Sequence, residues 1–467
     1  MQSSRHSIGR ISVEVRGASP EQAWPLRQEL DVLLREFCDA ELEVLMTAVD
    51  VPDLHMTIPR LEIDLGKVQR TTLRYQLEQR LKEALAAYQL PHRAALDEAL
   101  QHPAEGADPA TVLLQPRARR QLDWLLHYLQ EGYFPWGISK EEVRDLLHAF
   151  GEEPVFFLEQ LDETVLLQEK VLCRIVRDAG MAAVKYLLEW QQQRWERLAL
   201  PVVISEVLSR RGIQTLFVGT IWNEENATAV LVYGIRALKE AQSQDVYKRL
   251  PIAVLYIQQL HQVAGLPLPG VPAEWHSPQQ ELWPEASLSG SPAAAKEMEE
   301  PVILPFLGVV LLHPFLAAFM GSLGLLDSRQ RFNNDRDRMV ALGALLQLCC
   351  GHTDVPEYDM LFLKLLLGMP IDTMPQRHLW QAQATQVEEE SQALLESVIQ
   401  HWSALRSTSI QGLRDSFLQR RGRLHTEDNL IRIKIERSGF DMLLDRLPWS
   451  YSEIHLPWNA QSIWTEW

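Results

Sequence analysis

HWSALRSTSIQGLRDSFLQRRGRLHTEDNLIRIKIERSGFDMLLDRLPWSYSEIHLPWNAQSIWTEW, residues 401–467, sets the fold class of this chain. Thr408 and Gln411 have the spacing of a helix capping box, and Ile410, Leu413 and Phe417 then recur on one helical face. Gly422 stops that helix. Ile431, Ile433 and Ile435 alternate with Arg432, Lys434 and Glu436, the period of a strand with one covered face. Its predicted partner is Arg423–His425, reached across residues 426–429 as a hairpin. A short helix, FDMLLDRL, ends at Pro448. Five of the fourteen tryptophans fall in the last 66 residues: Trp402, Trp449, Trp458, Trp464 and Trp467. Chain ends are normally loose and polar. A run ending IWTEW is therefore expected to be docked, into its own domain or against a partner.

Upstream the pattern is helical. Leu395, Val398, Trp402 and Leu405 form a stripe on a helix over 388–405, and further helices are expected at 309–326, 336–350 and 357–368. From Val302 to Leu326 no residue is charged, which is long enough to span a bilayer. Pro305 and Pro314 divide the stretch, and Gly308, Gly321 and Gly324 weaken a single helix through it. Two short buried helices meeting at Leu312-His313-Pro314 are expected instead, and no membrane span.

The chain divides by composition. Residues 1–90 read as a small α/β unit of β-α-β-α order. Ile11, Val13 and Val15 alternate in a first strand; Leu26, Leu30, Leu33, Phe37, Ala40 and Val44 line a helix. Leu61, Ile63 and Leu65 alternate in a second strand stopped by Gly66, and Leu73, Leu77, Leu81, Ala84 and Tyr88 line a second helix. Residues 91–117 are a linker rich in Pro, Ala and Asp, and 118–263 an irregular helical domain. Residues 264–301 hold seven prolines and end in KEMEEP, marking a second linker before a C-terminal domain at 302–467. The fold class is mainly α (α+β), with a helical middle and a C-terminal hairpin.

With 46% hydrophobic and 23% charged residues the chain has the balance of a folded protein. A net charge of −17 argues against nucleic acid as the main partner, because phosphate binding needs clustered Lys and Arg. Four cysteines, none in CxxC, are too few for a disulfide scaffold and point to a reducing cytoplasm. The N-terminus has no apolar core of a secretion signal. Phosphate-loop, dinucleotide, nucleophile-elbow and HExxH signatures are all missing from the sequence. Lone histidines such as His313 and His401 read as hydrogen-bonded structural residues, since a metal needs several converging ligands. No catalytic residue, cofactor or metal is expected, and the chain reads as a non-enzyme.

Five segments, in order, resemble the contractile injection system tape measure protein family: IPRLEIDLG (58–66), LLHYLQEGYFPWG (125–137), GVVLLHPFLAAFMGSLGLL (308–326), FLKLLLGMPID (362–372) and the quoted C-terminal run. Its paired LPW motifs, Leu447–Trp449 and Leu456–Trp458, and the terminal W-x-E-W are the most specific parts. The resemblance implies a structural component of a phage-tail-like injection particle, whose length sets the number of stacked tube rings. It implies tail tube, baseplate or tube-terminator proteins as partners, with assembly in the cytoplasm before residence in the particle. A cytoplasmic scaffold or chaperone-like adaptor for tail components or cargo is the alternative. The candidate interaction positions are Leu61, Asp64, Gly66, Pro135, Trp136, His313, Pro314, Phe315, Trp402, Pro448, Trp449, Pro457, Trp458, Trp464 and Trp467.

Overall fold

Ile431, Ile433 and Ile435 form the buried face of a strand, as their alternation requires, and a sheet is built around it. The computed structural model describes residues 113–198, 222–264 except 245, and 301–467 except 428 and 429. Of the first 112 residues it describes 8, 11, 13, 14, 30, 32–34, 36–38, 42–47, 54–58, 61–67 and 72–86, and between 198 and 222 it describes 200, 204 and 208. The chain falls into two compact units, Met1–Trp124 and Leu125–Trp467.

The first unit contains α1 (Glu43–Thr47), β1 (Leu54–Thr57), α2 (Leu73–Ala86) and β2 (Leu113–Pro116). β1 and β2 pair antiparallel, with Leu54 opposite Pro116. The strand expected at 61–65 does not form a ladder. Leu61, Ile63 and Leu65 are half-buried and Glu62 and Asp64 exposed, and Leu61 and Ile63 pack on Phe37, Leu81 and Leu85. Alternation reports one covered face, which an extended segment lying on helices satisfies without a strand partner. The expected helical stripe also shifts: Phe37 is buried but Val44 is exposed, and Leu42, Leu45 and Met46 face inward. Cys38 and Leu42 have π-type backbone, and a π-bulge displaces the buried face of the succeeding turns. Of the strand expected at 11–15, residues 11, 13 and 14 are described and lie in no regular element; residues 91–112 lie outside the described residues.

The unit boundary falls inside α3 (Arg117–Glu131). α4 (Lys140–Glu152) begins at a capping box: Glu142 N donates to Ser139 Oγ at 3.2 Å, and Ser139 N donates to the Glu142 carboxylate at 2.9 Å. α5 (Pro154–Leu158) and α6 (Glu163–Leu166) lead into α7 (Glu169–Glu196), which folds at Gly180. Gly180 has φ +66° and ψ −158°, a region essentially confined to glycine. Both halves of α7 lie on α8 (Glu224–Ser243): Arg236 pairs with Glu169 at 2.6 Å, and the Gln191 amide donates to the Leu231 carbonyl at 2.9 Å. α9 (Val246–Ala264) closes this layer, its Tyr256 ring stacked on Trp195 at 5.7 Å.

The rest of the second unit begins with β3 (Val302–Leu304). A 3-10 turn over Leu307–Leu312 then meets α10 (His313–Ser322) at the junction expected from Pro314. The first piece is buried throughout, whereas the second buries Leu316, Phe319 and Met320 and exposes Pro314, Ala318, Gly321 and Ser322; among the described residues no helix is long and apolar enough to cross a membrane. α11 (Asp335–Cys350) is capped by Asn334, carries Asp335 and Asp337 at its positive end, and stops at Gly351. Next come a 3-10 turn (Glu357–Asp359), α12 (Leu361–Leu366), α13 (His378–Gln381), α14 (Ala384–His401) and α15 (Ile410–Leu413). The cap of α15 is Ser409 rather than Thr408, Gly412 N donating to its hydroxyl at 3.0 Å.

β4 (Gly422–Glu427) and β5 (Leu430–Ile435) form the expected hairpin, with Arg423 opposite Lys434 and His425 opposite Arg432. The FDMLLDRL segment is a 3-10 helix, Gly439–Arg446. β6 (Glu453–Ile454) and β7 (Ser462–Glu466) complete a sheet of order β3-β4-β5-β7-β6. The chain terminus is thus docked into its own domain as an internal strand, parallel to β5 and antiparallel to β6. The mainly α architecture with a small sheet agrees with the sequence reading.

Candidate functional site

Each LPW tryptophan reaches back to an apolar segment far upstream. Pro448 and Pro457 are exposed, while the tryptophan after each turns inward. Leu447, before Pro448, has ψ 124°, the extended conformation that a following proline imposes, and this ends the 3-10 helix. Trp449 Nε1 then donates to the Leu311 carbonyl at 2.9 Å, and its ring meets Phe315 edge-on at 5.1 Å. The first LPW therefore holds the LLHPFL turn. Trp458 Nε1 donates to the Leu366 carbonyl at 3.2 Å, Asn459 Nδ2 to the Leu365 carbonyl at 2.7 Å, and the Trp458 ring rests on Phe332. The second LPW therefore holds the end of FLKLLLG. These indole and amide donors add hydrogen bonds to carbonyls at helix ends, the Leu365 carbonyl accepting from Gly368 N as well at 3.0 Å.

Trp402, fully buried, links α14 to the Gly439–Arg446 turn by donating to the Leu443 carbonyl at 3.1 Å, with its ring 4.8 Å from Phe417. His313 Nδ1 lies 3.0 Å from the Val310 carbonyl oxygen and so carries a proton; burial holds this half-buried imidazole below its ordinary pKa. Pro314 occupies the first turn of α10, where a missing N–H is harmless. Gly308 lies against the Phe417 backbone, so that a Cβ would fall 1.6 Å from the carbonyl oxygen. The turn that precedes LLHPFL comes this close to Phe417 and Leu418 because residue 308 has no side chain.

A buried charge cluster joins two further segments. Arg174 and Lys364 stand in apolar runs, VLCRIV and LFLKLLL, and are essentially unexposed, as is Glu357. Arg174 forks onto the Glu357 carboxylate, donates through Nη1 to the Leu129 and Gln130 carbonyls at 2.8 and 2.9 Å, and through Nη2 to the Asp372 carbonyl at 3.0 Å. Lys364 Nζ donates to Glu357 at 2.9 Å and to the Ile371 carbonyl at 3.0 Å. Arg177 reaches Glu357 at 2.9 Å and also pairs with Asp178, while Lys170 pairs with Asp372. Burial alone would raise the Glu357 carboxyl, but Lys364, Arg174 and Arg177 hold it down at about 2. Gly132 of LLHYLQEGYFPWG covers the cluster at φ +85°, and a Cβ there would meet Glu357 Oε1 at 2.5 Å. Pro135 and Trp136 lie half-buried in the adjoining loop, after Phe134, whose ring stacks on Tyr128 at 4.6 Å.

The remaining candidates are dispersed. In the first unit Leu61 packs on the small core, and Asp64 Oδ1 accepts from Gly66 N at 2.8 Å, a local turn that uses the positive φ of Gly66. Trp467 lies against Tyr451 at 5.8 Å and beneath the Arg420 guanidinium at 6.0 Å. Trp464 faces outward on β7, 42% exposed. The charge cluster was not among the sequence candidates. Its available signal was a basic residue in an otherwise apolar helical run, at Arg174 and at Lys364.

The model of the contractile injection system tape measure protein family matches residues 5–467. The chain belongs to this family. No curated protein and no solved structure matches it. In this tape measure family chain, the segments that carry the resemblance in the second unit hold one another: the first LPW on LLHPFL, the second on FLKLLLG, and LLHYLQEGYFPWG on the cluster that includes Lys364. This arrangement joins four stretches that are distant in sequence.

Proposed function

We propose that the protein is a structural component of a phage-tail-like contractile injection particle. Its C-terminal segments anchor it to one end of the particle, and the rest of the chain sets the length of the tube. The observation that carries this reading is the family match over nearly the whole chain, joined to the mutual clasping of the family-like segments. Partners are the tail tube, baseplate or tube-terminator proteins, met in the cytoplasm during assembly. The role is non-enzymatic. As one continuous helix the chain would reach about 700 Å, a form its 26 prolines forbid, so only the stretch between the end domains could measure. Inserting or deleting whole helical turns within residues 138–263 should change particle length in steps, read by electron microscopy. Particles of unaltered length would remove the measuring role and leave the assembly role.

A second reading is a cytoplasmic scaffold or chaperone-like adaptor for tail components or cargo. It is supported by the packing of α7 on α8 and α9 and by the closure of α7 onto residues 357–372, which make this half a folded body rather than an extended rod. Protein that binds tail components in pull-down but is missing from purified particles would favour it.

A further inference from the structure

The sheet of the second unit has one face in the core and one in solvent. Val302, Leu304, Leu424, Ile431, Ile433, Ile435, Ile454 and Ile463 are buried on the inner side. On the outer side the register sets Ile303, Arg423, Lys434 and Glu466 in one row across β3, β4, β5 and β7. His425, Arg432, Trp464 and Glu453 form the next row across β4, β5, β7 and β6. Trp464 is 42% exposed and Ile303 39%. Lys434 pairs with Glu466 at 3.4 Å, whereas Arg432, directly across from Trp464, has no ion-pair partner among the described residues.

Two features set this face apart. Trp402, Trp449 and Trp458 each spend their indole N–H on a backbone carbonyl, and Trp467 is packed on Tyr451. Trp464 instead lies on the outer face, partly exposed. The second feature is charge: the rows of this face carry Arg423, Arg432 and Lys434 against Glu453 and Glu466, in a chain whose net charge is −17. Tryptophan and arginine are among the residues enriched at interface hot spots. The edges are poor sites for an added strand, since β3 has three residues and β6 two.

We propose that this outer sheet face, centred on Trp464 and Arg432, is the docking site for an acidic protein surface on another component of the injection particle. The proposal rests on the assembly reading for the kind of partner and on charge complementarity for its chemistry. Repulsion between an acidic partner and the rest of this acidic chain is screened beyond about 8 Å, so the local cationic patch decides which face is met. Nucleic acid fits less well, because three cations interleaved with carboxylates are not the clustered Lys and Arg that a run of phosphates needs. Five strands at about 4.8 Å spacing make a face roughly 20 Å wide, enough for the anchor of an interface whose rim lies beyond the sheet.

The test is incorporation of the full chain into particles assembled by co-expression with tube, sheath, baseplate and terminator proteins. Trp464→Ala and Arg432→Glu should lower the copies per particle at least tenfold, and Arg432→Lys should stay near wild type, with circular dichroism unchanged in all three. Equal incorporation of every variant overturns the docking face and leaves the assembly reading standing. Wild-type protein missing from particles defeats the assembly reading instead. The variants are then titrated against the purified tube, baseplate and terminator proteins: binding lost in Trp464→Ala and Arg432→Glu upholds the face, and binding that is absent or indifferent overturns it. Binding of an oligothymidine, or self-association in sedimentation, that these substitutions abolish would also overturn it, by assigning the face to nucleic acid or to a second copy.

Discussion

Arg174 and Glu357 lie 183 residues apart and meet as a fully buried bidentate pair, Nε 3.1 Å from Oε2 and Nη2 2.8 Å from Oε1. Arg177 and Lys364 add two more cations to the same carboxylate. Such a cluster gives little net stability relative to a well-packed apolar core, but removing a single partner leaves uncompensated buried charge. Glu357→Gln strips the shared anion from three cations. It should destabilise the protein by about 3–5 kcal/mol, read as an earlier urea midpoint in near-ultraviolet circular dichroism. Coincident curves for the two proteins would show that the cluster does not hold α7 to residues 357–372.

The same carboxylate predicts an acid dependence. Its folded pKa is depressed, to about 2 from an ordinary 4.5. A depressed carboxyl stabilises the fold fully above its unfolded pKa and loses that contribution as pH falls through the folded value. Wild-type stability should therefore decline between about pH 4.5 and 2 by an amount on the order of 3 kcal/mol attributable to Glu357. Glu357→Gln starts lower and lacks this component, so the difference between the two proteins should shrink across that window. A constant difference down to pH 2 would place the depression elsewhere.

The LPW tryptophans are separable. Trp458 is buried and its N–H is the partner of the Leu366 carbonyl, whereas Trp449 is half-buried beside Phe315. Trp458→Phe keeps an aromatic ring but removes the indole donor, leaving the Leu366 carbonyl only the longer 3.3 Å bond from Asn459 Nδ2, which costs on the order of 1 kcal/mol. Trp449→Phe, at a ring that is only half-buried, should cost no more than this. Hydrogen exchange should speed up around residues 362–372 in the first variant and around 308–316 in the second. Exchange that rises equally at both segments in each variant would mean that the two motifs do not act as separate clasps.

These clasps explain what could be read from sequence. The hairpin was legible because Ile431, Ile433 and Ile435 alternate beside a nearby partner, so periodicity and register come from one local stretch. The break at Leu312-His313 was legible because proline acts on its own neighbours. The pairing of β7 with β5 was not, since a parallel partner is chosen by tertiary packing and SIWTE is too short to declare itself. Similarly, LHMT at 54–57 carries no alternation that competes with LEIDL, yet it has a partner in Leu113–Pro116 and LEIDL has no ladder among the described residues. The Arg174–Glu357 contact was beyond reach because charge complementarity across 183 residues leaves no periodic trace. Trp464 was counted with the docked tryptophans, and only its place on the outer face of β7 distinguishes it.

The position of β7 makes the last prediction sharp. β7 is not an edge: it receives β5 on one side and β6 on the other, with Ile463 buried between Ile431 and Ile454. Deleting residues 462–467 would expose the ladder groups of β5, uncover the buried isoleucines and leave two-residue β6 without a partner. Burying an isoleucine alone is worth about 1.5–3 kcal/mol, and the loss of a strand's ladder adds to it. The truncated chain should be cut by trypsin after Arg432 and Lys434 at least tenfold faster than the full chain, with α7–α9 retaining their far-ultraviolet helix signal. Replacing Trp464 alone by Ala should not accelerate cleavage, since its ring lies outside the core. If truncation left proteolysis unchanged, the terminus would be an ornament of the sheet rather than part of its frame. Equal sensitivity of the Trp464 variant would mean that the outer face itself stabilises the fold.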